Sequence, residues 1–247
     1  MKLFSQQGLQ IIGAIRRFVR RSGFDIVRFR PPLGYTGREL VMRSEFQGLL
    51  FAGAAMQKLI DEYTFETVLD IGCGSGEHSE VFRRHGKKVT AVDYGKSIYF
   101  EKHPSDMAVL IGDFNHLDFG LEYDCVWASH VLEHQVNAGS FLKKVYAVTK
   151  EGGVVCITVP PLQPEILGGH VSLWNAGLLL YNMVLAGFDC RNASILRYNY
   201  NISVIVKKKT ACLPELVFDN GDVNRISPFL PEGFHEGFNG DIWSHNW

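Results

Sequence analysis

Residues 67–76 read Thr-Val-Leu-Asp-Ile-Gly-Cys-Gly-Ser-Gly, an apolar run closed by an acid and followed by glycines at alternate positions. Few folds accept that string. The apolar part has the make-up of a short buried strand. The glycines let the backbone turn tightly and approach a ligand with no Cβ in the way. A second run, Lys-Val-Thr-Ala-Val-Asp over 88–93, ends in Asp93, about 20 residues past the first glycine, the spacing at which a strand-end carboxylate grips a ribose diol. Strand, glycine turn, helix, strand and terminal acid make a nucleotide-binding half-fold.

The loop spacing separates the nucleotides. A dinucleotide fingerprint is G-x-G-x-x-G, whereas here the glycines are Gly72, Gly74 and Gly76, and Glu77 stands where the third dinucleotide glycine would be. Asp70 precedes the loop and would repel a pyrophosphate, but it tolerates a cationic ligand with an amino-acid end. A nicotinamide dehydrogenase is therefore disfavoured. These residues resemble the class I S-adenosylmethionine-dependent methyltransferases, whose first motif reads much like 69–76. The likeness extends over roughly 65–208. Gly112-Asp113-Phe114 is similar to the segment that contacts adenine, 123–129 to the fourth strand and 151–160 to the fifth. The resemblance implies S-adenosylmethionine as cofactor. Asp70, Gly72, Cys73, Gly74 and Gly76 would hold its amino-acid end and Asp93, with Tyr94 beside it, the ribose. Asp113 and Phe114 would hold the adenine, with Ser129 at the fourth strand end.

The chain of 247 residues, 46% apolar and 21% charged, supports one substantial core with about 40–60 residues over for appendages. Its net charge of −1 argues against nucleic acid as a partner. Cys73, Cys125, Cys156, Cys190 and Cys212 are scattered with no CxxC pair, and read as small buried hydrophobes in a reducing compartment. No apolar run reaches the ~18 residues that span a bilayer. The stretch 9–15 is short and followed by arginines, unlike a signal peptide. A cytoplasmic location is expected.

Alternating runs predict an α/β, Rossmann-like, doubly wound fold with a seven-stranded, mostly parallel sheet and an antiparallel last strand. Strands are expected near 67–72, 88–93, 108–112, 123–129, 153–159, 193–198 and 202–208, and helices near 42–62, 76–86, 139–149 and 173–187. Three parts follow: an N-terminal helix and lid segment over 1–64, the cofactor domain over 65–209 and an aromatic-rich extension over 210–247. The extension is expected to pack on the domain, close over the acceptor or exchange between subunits, and its aromatics among Asn and Asp would suit a sugar. In 31–66, Tyr35, Arg38 and Arg43 are candidates for the cofactor carboxylate or for substrate.

Residues 1–30 carry seven Lys/Arg and one acid, Asp25. On a helical wheel Ile11, Ile12, Ile15, Phe18 and Val19 share one arc and Arg16, Arg17, Arg20 and Arg21 the opposite one. Such a helix over 1–22 either lies on an anionic membrane surface or packs on the body or on another subunit of a homo-oligomer. The run 16–29 also resembles the lead of methyltransferases of bacterial polysaccharide assembly.

Methyl transfer from a sulfonium is an in-line displacement, so donor and acceptor must be held aligned. An oxygen acceptor must also lose its proton to a base or a metal-bound group. After the fourth strand comes Ser129-His130-Val131-Leu132-Glu133-His134, and His170 follows the fifth. On a helix, His130, Glu133 and His134 would share one face, and with His170 they form a set able to bind a divalent ion. This looks like the metal-using small-RNA 3′-end and ubiquinone-pathway O-methyltransferases, whose pattern is Glu-x-x-Glu-His with a later His. His130 in place of the first Glu makes the set softer, suiting manganese, iron or zinc above magnesium. Alternatively, His134 orients or deprotonates an acceptor, with Glu133 and His130 beside it. His78, His85, His103 and His116 are expected at the surface. No Asn/Asp-Pro-Pro-Tyr signature follows the fourth strand and no catalytic cysteine pair is present, which argues against amide-nitrogen and cytosine methylation. The expected acceptor is a hydroxyl of a small molecule or glycan, foremost a sugar of a surface polysaccharide or lipopolysaccharide. The alternatives are a quinone or phenol, or no catalysis at all in a membrane-docked cofactor-binding scaffold.

Overall fold

The computed structural model describes residues 6–25, 32–37 and 39–247, and over 6–12 the backbone alone. Arg38, named above as a candidate, and the basic residues Arg28 and Arg30 lie outside the described residues, as do the side chains of Ile11 and Ile12. The chain forms two compact units, Met1–Pro31 and Pro32–Trp247. The first holds α1 (Gln6–Arg21), in which Phe18 is 73% exposed and Ile15 half-exposed. Arg16 and Arg20 turn back onto Asp25 at 2.6 and 2.7 Å.

The second unit runs α2 (Ser44–Gln47), α3 (Gly53–Glu62), β1 (Thr67–Ile71), α4 (Glu77–Arg84), β2 (Lys88–Asp93), β3 (Val109–Ile111), β4 (Tyr123–Ser129), α5 (Ala138–Val148), β5 (Thr149–Val159), α6 (Ala176–Leu185), β6 (Ser194–Tyr198), β7 (Asn201–Lys207), α7 (Asp222–Ile226) and β8 (Ser244–His245). The sheet order is β3-β2-β1-β4-β5-β7-β6-β8. The first five strands run parallel, and β7 enters antiparallel to β5 and β6. Strand order reverses between β1 and β4, which opens a crevice beyond their carboxyl ends.

Alternation along the central strands covers both faces of the sheet. Leu69, Ile71, Val126 and Ala128 pack with Phe141, Leu142, Leu180 and Met183 of α5 and α6. Val68, Cys125, Trp127 and Cys156 pack with Met56, Leu59 and Phe82 of α3 and α4. Four of the five cysteines are buried as expected, all five are free, and Cys212 is exposed.

Three expectations are corrected. The helix expected over 42–62 is broken into α2 and α3. Ala52 adopts a left-handed φ of 56°, and a Cβ on Gly53 would lie 2.2 Å from the Phe46 carbonyl oxygen, so the chain folds back at that glycine. Residues after β4 do not form a helix. His130 is left-handed, with φ 55°, and only a 3₁₀ turn, Leu132–His134, follows. The sheet has eight strands, because the extension contributes β8 against β6, pairing Ile195 with His245 and Leu196 with Ser244. Most aromatics of the extension are used internally, Phe218 being exposed. Phe234 stacks on Phe238 at 4.8 Å, Trp243 meets Tyr35 edge-on at 4.9 Å, and Trp247 lies against Tyr198.

Candidate active site

A cavity of about 1290 Å³ opens beyond the carboxyl ends of β1, β2 and β4. Its floor is the glycine turn. The Gly72 and Cys73 amides donate to Val92 O at 2.8 and 3.1 Å, which pins the turn against β2. Gly72 has φ 70°, and a Cβ there would meet Val131 Cγ2 at 2.4 Å. Only glycine satisfies both the backbone and the packing. Asp93 Oδ2 accepts the Gly74 amide at 2.9 Å and Oδ1 the Gly95 amide at 2.8 Å, so the acid is held at the edge of the turn.

Gly72, Cys73, Gly74, Asp93, Tyr94, Asp113, Phe114 and Ser129, expected around the cofactor, all line this cavity. Asp113 Oδ1 accepts from the Asn115 backbone and side chain at 2.9 Å. Phe114 is 5% exposed and packs on Phe141. Ser129 Oγ is buried without a hydrogen-bond partner. Asp70 and Gly76 are different. Neither is among the lining residues. Asp70 is 1% exposed behind the turn and accepts the Ser79 hydroxyl at 2.6 Å, and burial pushes its carboxyl up to about 6. Gly76 begins α4 at φ 83° with Met107 Sδ 2.4 Å from where its Cβ would be. Both residues shape the turn from outside the cavity.

The opposite wall gathers His130, Glu133, His134 and His170. The shared helical face expected for the first three is replaced by the left-handed turn, which brings them together by another route. Glu133 is fully buried, and neither carboxylate oxygen has a hydrogen-bond partner. His130 Nδ1 approaches Glu133 Oε1 to 3.1 Å without hydrogen-bond alignment, and His134 Nε2 lies 3.9 Å from the same oxygen. His134 Nδ1 sits 2.7 Å from Gly169 O. A carbonyl only accepts, so Nδ1 carries a hydrogen, and in the neutral ring Nε2 keeps its lone pair. One donor atom each from Glu133, His134 and His170 falls within 4.8 Å of the others, and His130 is not part of that triplet. Burial lowers the His170 pKa.

Four lining or supporting residues lay beyond sequence reasoning. Phe51 and Tyr200 line the cavity with no motif to announce them, and Asn201 reaches His130 at 3.1 Å. His78, expected at the surface, also lines the cavity. Its Nδ1 accepts from Trp127 Nε1 at 3.2 Å, its Nε2 is 3.0 Å from Phe51 O, and burial lowers its pKa to about 4. His116, also expected at the surface, is exposed and still borders the cavity. Arg43 is engaged by Asp61 at 2.7 Å and Glu45 at 3.4 Å. Neither it nor Tyr35 is among the lining residues, and none of those comes from 210–247.

A family profile described as "Methyltransferase domain" matches residues 42–182, more than half of the chain. A ubiquinone biosynthesis O-methyltransferase of Rhodopseudomonas palustris is 33% identical over 96 residues, 36% of this chain and 38% of that protein. A malonyl-[acyl-carrier protein] O-methyltransferase of Salmonella typhimurium is 29% identical over 107 residues, 42% of this chain and 43% of that one. The chain thus spans about two fifths of the length of these curated relatives. The crystal structure of a SAM dependent methyltransferase from Archaeoglobus fulgidus superposes with a TM-score of 0.52 at 20% identity, covering 63% of this chain and 92% of that one. That likeness shows the fold.

Proposed function

The chain belongs to the methyltransferase-domain family, and from that premise we propose that it is an S-adenosylmethionine-dependent O-methyltransferase acting on a hydroxyl of a small quinone-type or phenolic molecule. The observation that carries the reading is His134. Its Nδ1–H is committed to Gly169 O, so in the neutral ring Nε2 is the free base on the cavity wall, the tautomer that takes a proton from an acceptor hydroxyl.

The cavity fits the cofactor. Single drug-sized ligands occupy about 300–1,000 Å³, and this one, at about 1290 Å³, leaves room for donor and acceptor together. When bound, S-adenosylmethionine supplies a methyl group on a sulfonium. The residues around it bind and orient. The 72–74 turn admits the amino-acid end, Asp93 offers its remaining lone pairs to the ribose hydroxyls, and Asp113 with Phe114 border the adenine. The orphaned Ser129 hydroxyl is a further polar contact. On the far wall His134 receives the proton, and Glu133, buried 3.9 Å away, favours the imidazolium that results.

The relatives support the quinone alternative over the sugar hydroxyl foremost in the sequence reading, since one of them carries a ubiquinone-biosynthesis O-methyltransferase name. The test is calorimetric titration with S-adenosylhomocysteine, with NAD as control, followed by turnover on a catechol and on sugar acceptors. Binding of S-adenosylhomocysteine together with catechol turnover supports the proposal. Turnover on sugars alone restores the earlier expectation, and binding with no turnover on any acceptor favours a non-catalytic module.

A second reading of the acceptor wall rests on Glu133. A fully buried carboxylate with two unpartnered oxygens calls for a cation, and Glu133, His134 and His170 offer one oxygen and two nitrogens within 4.8 Å. Those three residues would hold a divalent ion, which would lower the pKa of an acceptor hydroxyl. Metal content of the purified protein and turnover after chelation decide between the two.

The partner of α1 is proposed to be an anionic membrane surface, on the strength of exposed Phe18 and Ile15 on a face opposite arginines. No helix among the described residues is long and apolar enough to cross a membrane. Sedimentation with phosphatidylglycerol vesicles, lost on deleting 1–22, tests it.

A further inference from the structure

We infer that Asn201 is a positioning residue for the acceptor wall, fixing which nitrogen of His130 carries hydrogen and clamping one peptide group of the cavity wall against it. The inference deepens the reading of this cavity as a methyltransferase site.

The argument starts from hydrogen-bond bookkeeping. Asn201, at the start of β7, is 5% exposed, and its Oδ1 accepts the Ala52 backbone N–H at 3.1 Å. A backbone N–H only donates, so the oxygen end of the carboxamide faces it. The same oxygen lies 3.1 Å from His130 Nε2. An amide oxygen only accepts, so His130 carries a hydrogen on Nε2. Its Nδ1 is thereby turned to Glu133 Oε1, 3.1 Å away. The His130 backbone is anchored separately, by N–H donation to Thr158 O at 2.8 Å.

The second half of the device is the peptide group between Phe51 and Ala52. Its N–H goes to Asn201. Its carbonyl, at the opposite edge of the peptide, accepts from His78 Nε2 at 3.0 Å. The direction is set because His78 Nδ1 is occupied as acceptor of the Trp127 indole N–H. One peptide is therefore gripped at both ends by side chains from α4 and β7. The grip holds Phe51, whose ring stacks on His130 at 4.1 Å. Ala52 and His130 are both left-handed, at φ 56° and 55°, a conformation unfavourable for a non-glycine residue that persists where the surroundings over-determine it. Asn201 Oδ1 joins the two.

The experiment compares wild type with Asn201→Leu, which keeps the volume and removes the acceptor, and Asn201→Asp, which keeps an oxygen for both donors. Three readouts are taken. Nitrogen-resolved NMR of labelled histidine is expected to show Nε2 of His130 protonated in wild type and in Asn201→Asp. S-adenosylhomocysteine affinity is expected to be unchanged in both variants, because Asn201 is not among the residues that line the cavity. Catechol methylation is expected to lose roughly ten- to a hundred-fold in kcat/KM in Asn201→Leu, the scale of a misplaced group, and to recover in Asn201→Asp. An unprotonated Nε2 in wild type overturns the inference, even if Asn201→Leu fails to fold. So does an Asn201→Leu protein with wild-type kcat/KM and an unshifted His130 signal. Failure of wild type to bind S-adenosylhomocysteine would sink the methyltransferase reading and leave the tautomer result standing.

Discussion

Asp93 Oδ2 accepts the Gly74 amide at 2.9 Å, so the acid at the end of β2 and the glycine turn after β1 form one rigid unit. The carboxylate reaches the cavity already oriented by the loop beside which the cofactor is proposed to lie. Removing it therefore loses a charge-assisted acceptor and a brace together.

Asp93→Ala is expected to weaken S-adenosylhomocysteine binding by about 1–3 kcal/mol, read by calorimetry. An unchanged dissociation constant would remove Asp93 from the ribose site.

Asp70 makes the contrasting case. Its carboxyl, pushed up to about 6 by burial, titrates near 3.9 in the unfolded chain. Between those values the folded state binds more protons than the unfolded one, so this group's contribution to stability falls as pH rises. Asp70→Asn is expected to melt a few degrees higher than wild type at pH 7.5, with the gap narrower at pH 5 and closing only below about pH 4. It is expected to change S-adenosylhomocysteine affinity by less than Asp93→Ala does. A larger loss than that of Asp93→Ala would mean that Asp70 reaches the ligand after all.

His134→Ala is expected to leave cofactor affinity intact and to lower kcat by about 10²–10⁴, the usual worth of a positioned proton acceptor. Single-turnover methylation with saturating donor measures it. Wild-type turnover would take His134 out of the chemistry.

His78 titrates in the opposite sense to Asp70. Its folded pKa of about 4 lies below the unfolded value of about 6.5, so the unfolded state binds the extra proton in between. Its contribution is full above pH 6.5 and is lost as pH falls towards 4. His78→Gln is expected to melt several degrees below wild type at pH 7.5 and by a smaller margin at pH 5, in paired thermal melts. A margin that widens on acidification would contradict the buried, neutral histidine.

Local sequence determined the elements and the order in which they alternate. Short, nearly continuous apolar runs read directly as β1, β2, β4 and β5, because burial on both faces of a parallel sheet demands them. The 72–76 glycines and the acid at 93 read as a ligand turn, because positive φ and close approach require residues without a Cβ. Most of the residues so marked line the cavity, while Asp70 and Gly76 lie outside its lining, because the pattern marks a turn without saying which of its residues face inward. The acceptor side was decided by tertiary structure. His130 was expected on a helix and stands in a left-handed turn, held by Thr158 and by an asparagine 71 positions away. His78 had no partner within its own helix, yet bonds Trp127 and Phe51. The last strand, Ser244–His245, has no periodicity and exists because the edge of β6 offers it hydrogen bonds. Periodicity is a property of neighbours in the chain. A clamp built from residues 51, 78, 130 and 201 is set by where the sheet and its loops bring distant segments together.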